Sequence, residues 1–165
     1  MLTPYLPRTL LQEHSQASWA FSGSVVFADV SGFTKLSERL AGLGKAGAEE
    51  LTLILNATFT DLLSMAFTES GDLLSYGGDA LLLSFMGEGH ATRAVRAAMG
   101  MREALRLRGA VDTPAGKVRL RISQGVHTGD FQLVIAGTRQ RELMLVGAAA
   151  TRVTERGATR ADDRA

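Results

Sequence analysis

Cysteine is absent from the 165 residues, which excludes a disulfide framework and any thiol nucleophile. Histidine is nearly so. His14, His90 and His127 are too few and too scattered for a histidine-rich zinc site. Neither sign of charge is in excess: 18 Lys plus Arg stand against 17 Asp plus Glu, a formal net charge of +1. Dedicated nucleic-acid binders carry a strong basic excess, so no nucleic-acid partner is expected. No stretch approaches the run of about 18 apolar residues that a membrane span needs. The N-terminus MLTPYLPRTLLQEHSQ lacks a charged segment followed by a long apolar one. A cytoplasmic chain with no membrane attachment is the expectation. What is present is ordinary globular material: 45% hydrophobic and 21% charged residues, enough for one domain with a real core.

Along the chain, residues 1–22 read as a leader, with Trp19 anchoring it on the core. Ser24 to Val30 form an apolar strand. A helical region follows, interrupted at AGLGKAGAEE, where three glycines in six residues mark a turn or break. From Ala48 on, Leu51, Leu55, Phe59, Leu62, Leu63 and Ala66 recur at three and four, a helix burying one face. ESGDLLSYGGDALLLSF reads as a hairpin turning at Gly77-Gly78-Asp79. The second long helix, GHATRAVRAAMGMREALRLRG, puts Ala94, Val95, Ala98, Met101 and Leu105 inward and leaves its arginines on a solvated face. KVRLRISQGVHTGDFQLVIAG gives a long strand and a return, RELMLVG another strand, and AAATRVTERGA a last helix. His127 packs in or beside its strand. The fold class is α+β: a ferredoxin-like βαββαβ antiparallel sheet with helices on one face. The domain spans 23–157 and a polar tail covers 158–165.

Two carboxylates stand out. Asp29 ends the first strand, just before Ser31 and Gly32; Asp79 sits beside glycines between two apolar runs. Taken singly, Asp29 reads as a helix N-cap and Asp79 as a turn residue. In the split βαβ topology, however, the end of strand one and the hairpin turn share a sheet edge. The two acids then converge as hard oxygen ligands with room for water and phosphate oxygens, the usual manner of holding Mg²⁺ or Mn²⁺ at a nucleotide. The turn from Val30 to Thr34 opens a helix whose N-terminal amides suit a phosphate.

FADVSGFT and GDLLSYGGDALLLSF resemble the two metal-binding motifs of class III adenylate and guanylate cyclases. RISQGVHTGDF and RELMLVGAAATRV resemble later strands of the same catalytic domain, and the likeness covers about residues 22–157. It is nearest in character to the first cyclase domain of soluble-adenylyl-cyclase-type tandem proteins. The resemblance implies two-metal conversion of ATP (or GTP) to the cyclic nucleotide and pyrophosphate. Asp29 and Asp79 would hold both Mg²⁺ or Mn²⁺ ions, helped by the Val30 carbonyl. The amides of Ser31, Gly32, Phe33 and Thr34 would cradle the phosphates.

The other half of the family pattern is missing. Ser75 stands where members carry a lysine that contacts base or phosphate, and Met144 where a base-reading residue is usual. Aligned on Gly147, Thr151 and Glu155 replace the ribose-orienting Asn and the transition-state Arg; a one-residue slip would bring Arg156 into play. The resemblance thus implies a metal-binding half completed by a second cyclase domain in cis or trans, or by a homodimer. It also implies a piece of a longer protein, since the chain stops earlier than the family domain does. Two alternatives stay open. One is a degenerate, non-catalytic nucleotide-binding or regulatory domain. The other is a diguanylate-cyclase-like domain, for which YGGDALLL lacks the expected second acid because Ala80 follows Asp79.

Overall fold

The computed structural model describes residues 18–114, 116–136 and 142–146. In chain order these form β1 (Ser18–Ser31), α1 (Phe33–Ala41), α2 (Gly44–Thr68), β2 (Asp72–Gly77), β3 (Ala80–Met86), α3 (His90–Arg108), β4 (Ala110–Thr113), β5 (Gly116–Arg119), β6 (Arg121–Ala136) and β7 (Glu142–Val146). Five strands make an antiparallel sheet in the order β2-β3-β1-β6-β7, with β4-β5 a separate hairpin. The ferredoxin-like order is the expected one, with β1 between β3 and β6.

The main core lies between one sheet face and the helices. Val26, Ala28 and Val30 of β1 and Leu81, Leu83 and Phe85 of β3 pack there with Ile54, Leu62 and Ala66 of α2 and Ala94, Ala97 and Met101 of α3. Side chains alternate across a strand, so neighbours in β1 point to opposite faces. A second, smaller cluster, Val25 and Phe131 with half-buried Phe21, Phe27, Leu82 and Leu145, lies apart from the main core. By that alternation, the odd-numbered β1 residues place it on the other sheet face.

Several expectations need correction. β1 begins at Ser18, not Ser24, because its early residues pair with the long β6: Trp19 lies opposite Leu133 and Phe21 opposite Phe131. Trp19 is therefore a strand residue; residues 1–17 of the expected leader lie outside the described residues. The helix break is confined to Gly42 and Leu43, and α2 starts at Gly44. Gly47 lies inside α2 where it passes close to the end of α1; an added Cβ would sit 1.9 Å from the Leu40 carbonyl oxygen. In α3, Val95 is 47% exposed and Ala97 takes its inward place. The expected long strand and return is a single strand, β6, preceded by the β4-β5 hairpin. The expected last helix lies outside the described residues. By length and composition α2 is apolar enough to cross a membrane, contrary to the sequence reading. It packs instead as a core helix, burying Ile54, Thr58, Leu62 and Ala66.

Arg93 departs from the solvated face expected of the α3 arginines. Its guanidinium donates to the carbonyls of Glu69 (2.8 Å) and Met86 (2.5 Å), joining the ends of α2, β3 and α3. No sequence signal marks this, because the acceptors are backbone carbonyls of any residue type.

Candidate metal centre

β1 delivers Asp29 to the sheet face away from the helices, because its neighbours Ala28 and Val30 are buried at 0% exposure on the helical side. Asp29 lies opposite Ala80 of β3 and Ser123 of β6. The β2-β3 hairpin turns through Gly78 and Asp79. Gly78 has φ +69°, a conformation that two-residue hairpin turns demand and that only glycine adopts freely. The Val30 amide donates to the Asp79 carbonyl at 3.0 Å, locking the strand end to the hairpin turn. The two acids are thus neighbours at one sheet edge, as the sequence suggested.

Their proximity has an electrostatic signature. The Asp29 carboxyl is pushed above its usual range, first by burial and then by the Asp79 charge beside it. Among the described residues neither acid has an ion-pair partner. Half-buried oxygens that repel each other and lack a cation are a donor set suited to a hard divalent ion. No group of three or more metal-binding side chains occurs among the described residues, so any ion there depends on backbone, water or ligand oxygens as well.

The turn after β1 is shaped by Gly32, the residue before α1, with φ +107°. An added Cβ would lie 3.1 Å from the Arg119 carbonyl oxygen and 3.2 Å from Leu120. α1 has no side-chain N-cap, so the reading of Asp29 as its cap fails. The first amides of α1 are left without a side-chain acceptor, which suits an anion. Ser31 and Thr34 are exposed. The Phe33 ring is committed to the core, stacked on Phe59 at 5.7 Å, so its backbone amide is the group it can offer. Phe59 in turn meets Tyr76 edge-on at 5.6 Å, bracing the hairpin against α2.

Ser75 is half-buried on β2, its hydroxyl donating to the neighbouring Tyr76 carbonyl at 3.3 Å. Met144 is 47% exposed on β7, opposite Val134. His127 sits on β6, edge-on to Phe131 at 6.0 Å. Thr151, Glu155 and Arg156 lie outside the described residues. Two residues that sequence reasoning missed are Ser123, opposite Asp29, and Arg121, opposite Ser31. Counting alternate residues back along RISQGVHTGD would have found both, had the β1-β6 register been known.

Comparison with known proteins gives a consistent picture. The family model described as the adenylate and guanylate cyclase catalytic domain matches residues 20–162. Adenylate cyclase type 10 of Oryctolagus cuniculus is 28% identical over 130 residues, 76% of this chain and 8% of that protein. The human protein of the same name is 26% identical over the same length. This chain therefore spans less than a tenth of these relatives. Among solved structures, the adenylyl cyclase CyaB from P. aeruginosa superposes with a TM-score of 0.69 at 23% identity, covering 87% of this chain and 74% of that one. The guanylate cyclase domain of RhGC from Catenaria anguillulae, in complex with GTP, gives 0.70 at 20% identity, covering 86% and 75%.

Proposed function

The chain belongs to the adenylate and guanylate cyclase catalytic-domain family, and we propose that it supplies the metal-binding half of a nucleotidyl cyclase site that a second cyclase domain completes. The proposed reaction is conversion of ATP to cyclic AMP and pyrophosphate. The observation that carries this reading is the pairing of Asp29 with Asp79 at one sheet edge, with the Asp29 pKa raised and, among the described residues, no ion-pair partner for either acid.

Asp29, Asp79 and the Val30 carbonyl would hold Mg²⁺ or Mn²⁺. Bound divalent ions would offset charge on the attacking and leaving oxygens of the displacement. The amides of Ser31 to Thr34 orient the polyphosphate against the strand end, and Gly32 permits the turn that exposes them. This leaves the ribose and base to the partner. Ser75, whose hydroxyl bonds its own strand, offers no cation to either. The partner domain, in cis, in trans or as a second copy, would bring the lysine, asparagine and arginine that the sequence here lacks.

Calorimetry with ATP and Mn²⁺ tests the binding half: wild type should titrate and Asp29→Ala should not. Cyclic AMP assay with a complementary cyclase domain tests the rest. Mn²⁺-dependent ATP binding with no turnover beside any competent partner would favour the second reading, a regulatory nucleotide-binding domain, for which the Ser75 contact is the supporting observation.

A further inference from the structure

At the C-terminal end of α3, a cleft of about 470 Å³ opens between that helix and the start of β6. Arg102 and Arg106 line it from α3; Arg119 and Arg121 line it from the chain entering β6. Leu105 and Leu120, 5% and 4% exposed, lie beneath them. Arg102 and Arg106 are one helical turn apart, and Arg119 and Arg121 are alternate residues of an extended segment. Each pair therefore shares a face, and like charges at these spacings repel.

Nothing in the overall charge forces four arginines together, since the chain carries only +1. Glu103 neutralises Arg106, accepting from it at 2.7 and 2.6 Å. Arg102, Arg119 and Arg121 have no carboxylate partner among the described residues. Complementing the helix dipole does not account for them. Arg106 and Arg108 already occupy the last turn, and Arg108 is tied to Asp61. Arg119 ends β5 and Arg121 opens β6, so neither lies on that helix.

We propose that this cleft binds a small anion bearing two or more phosphate charges, separately from the paired acids. Guanidinium forks match phosphate oxygens two at a time. The volume lies within the range of small-ligand sites, and the leucine floor suits an organic portion. The cleft adjoins the turn before α1: Arg121 pairs with Ser31 along the sheet, and the Arg119 carbonyl and Leu120 pack against Gly32. Occupancy would therefore stiffen that turn.

The test is calorimetric titration of the whole chain with inorganic pyrophosphate and, separately, adenosine 3′,5′-bisphosphate, with EDTA present so that no metal-nucleotide site forms. At least one should saturate, and the tighter one identifies an inorganic or organic source. Arg102→Gln and Arg119→Gln should each weaken it by about tenfold or more. Arg102→Lys should also weaken it, because the charge remains and the fork is lost. Asp29→Ala should leave it unchanged, which separates this site from the metal centre. Circular dichroism checks that each variant is folded; these arginines are exposed and leave the core intact. Failure of both probes to saturate, titration unaltered by the glutamine variants, or a lysine variant equal to wild type would overturn the proposal.

Discussion

The two faces of the central sheet differ although they are made by alternate residues of the same strands. On the helical face Val26, Ala28, Val30, Leu81, Leu83 and Phe85 are all at 0% exposure. Polar groups on that side are held. Ser24 bonds Thr128 at 2.6 Å and His90 at 2.9 Å, and Arg93 bridges three element ends. The opposite face carries Val25 and Phe131 with half-buried Phe21, Phe27, Leu82 and Leu145, and at its edge Asp29, which has no ion-pair partner among the described residues. The closed face is satisfied within the chain; the open face is mixed, with Val25, Ser84, Phe131 and Leu133 buried beside half-buried apolar groups and repelling oxygens. The closed face gives the strand end its rigidity, and the open face keeps its chemistry available.

The largest effect expected from breaking this contrast is on turnover. Asp29→Ala should reduce cyclic nucleotide formation with a complementary domain by about 10³-fold or more, as loss of a preorganised charge-handling group does. Its melting temperature should stay within a few degrees of wild type. A variant that keeps a tenth of wild-type activity would mean that Asp29 is not a metal ligand.

On the closed face the effect moves to stability. Leu83→Ala should cost about 2–5 kcal/mol through the cavity it leaves, measured by urea denaturation. Its neighbour gives the sharper comparison. Leu83→Asp should prevent folding, whereas Leu82→Asp, one residue along on the open face, should leave a folded chain. If that face meets a partner domain, Leu82→Asp should weaken association by about 100-fold or more in sedimentation with the partner. Equal unfolding by both aspartate variants would show that the two faces are alike.

Most of the fold was legible because its signals are local. Apolar runs marked β1, β2 and β3, helical spacing marked α2 and α3, and the two glycines before Asp79 marked the hairpin. The errors arose where a long-range partner decides. β1 reaches back to Ser18 only because β6 is there to pair with it. Val95 fits the helical period but is 47% exposed, and Arg93 is held by carbonyls that no sequence pattern encodes. The paired acids were legible because the split βαβ order fixes which turns share an edge. Ser123 and Arg121 were not, because a neighbour across strands depends on register. The sequence shows only a solvated arginine face at the end of α3; the β4-β5 hairpin and the path into β6, which it does not mark, turn that face into a concavity.

The smallest expected effect is also the most specific to the open face. The Asp29 pKa is raised in the folded chain above its ordinary value of 3.8, so the folded state holds that proton more tightly than the unfolded one. The resulting stabilisation is complete below the unfolded value and is lost as pH rises through the folded one. Above that window, ionised Asp29 works against folding. In EDTA, Asp29→Asn should therefore be slightly more stable than wild type at pH 7, by no more than about 1 kcal/mol given the solvent screening of a half-exposed group. The difference should shrink towards zero as pH falls towards 3.8. Mn²⁺ should reverse the order at pH 7, since binding to the folded state stabilises it and the amide is a poorer ligand than the carboxylate. Urea denaturation at several pH values, with and without Mn²⁺, measures all three quantities. A wild type more stable than Asp29→Asn at pH 7 in EDTA would mean that neither burial nor the Asp79 charge strains ionised Asp29, and the paired-acid reading would lose its electrostatic basis.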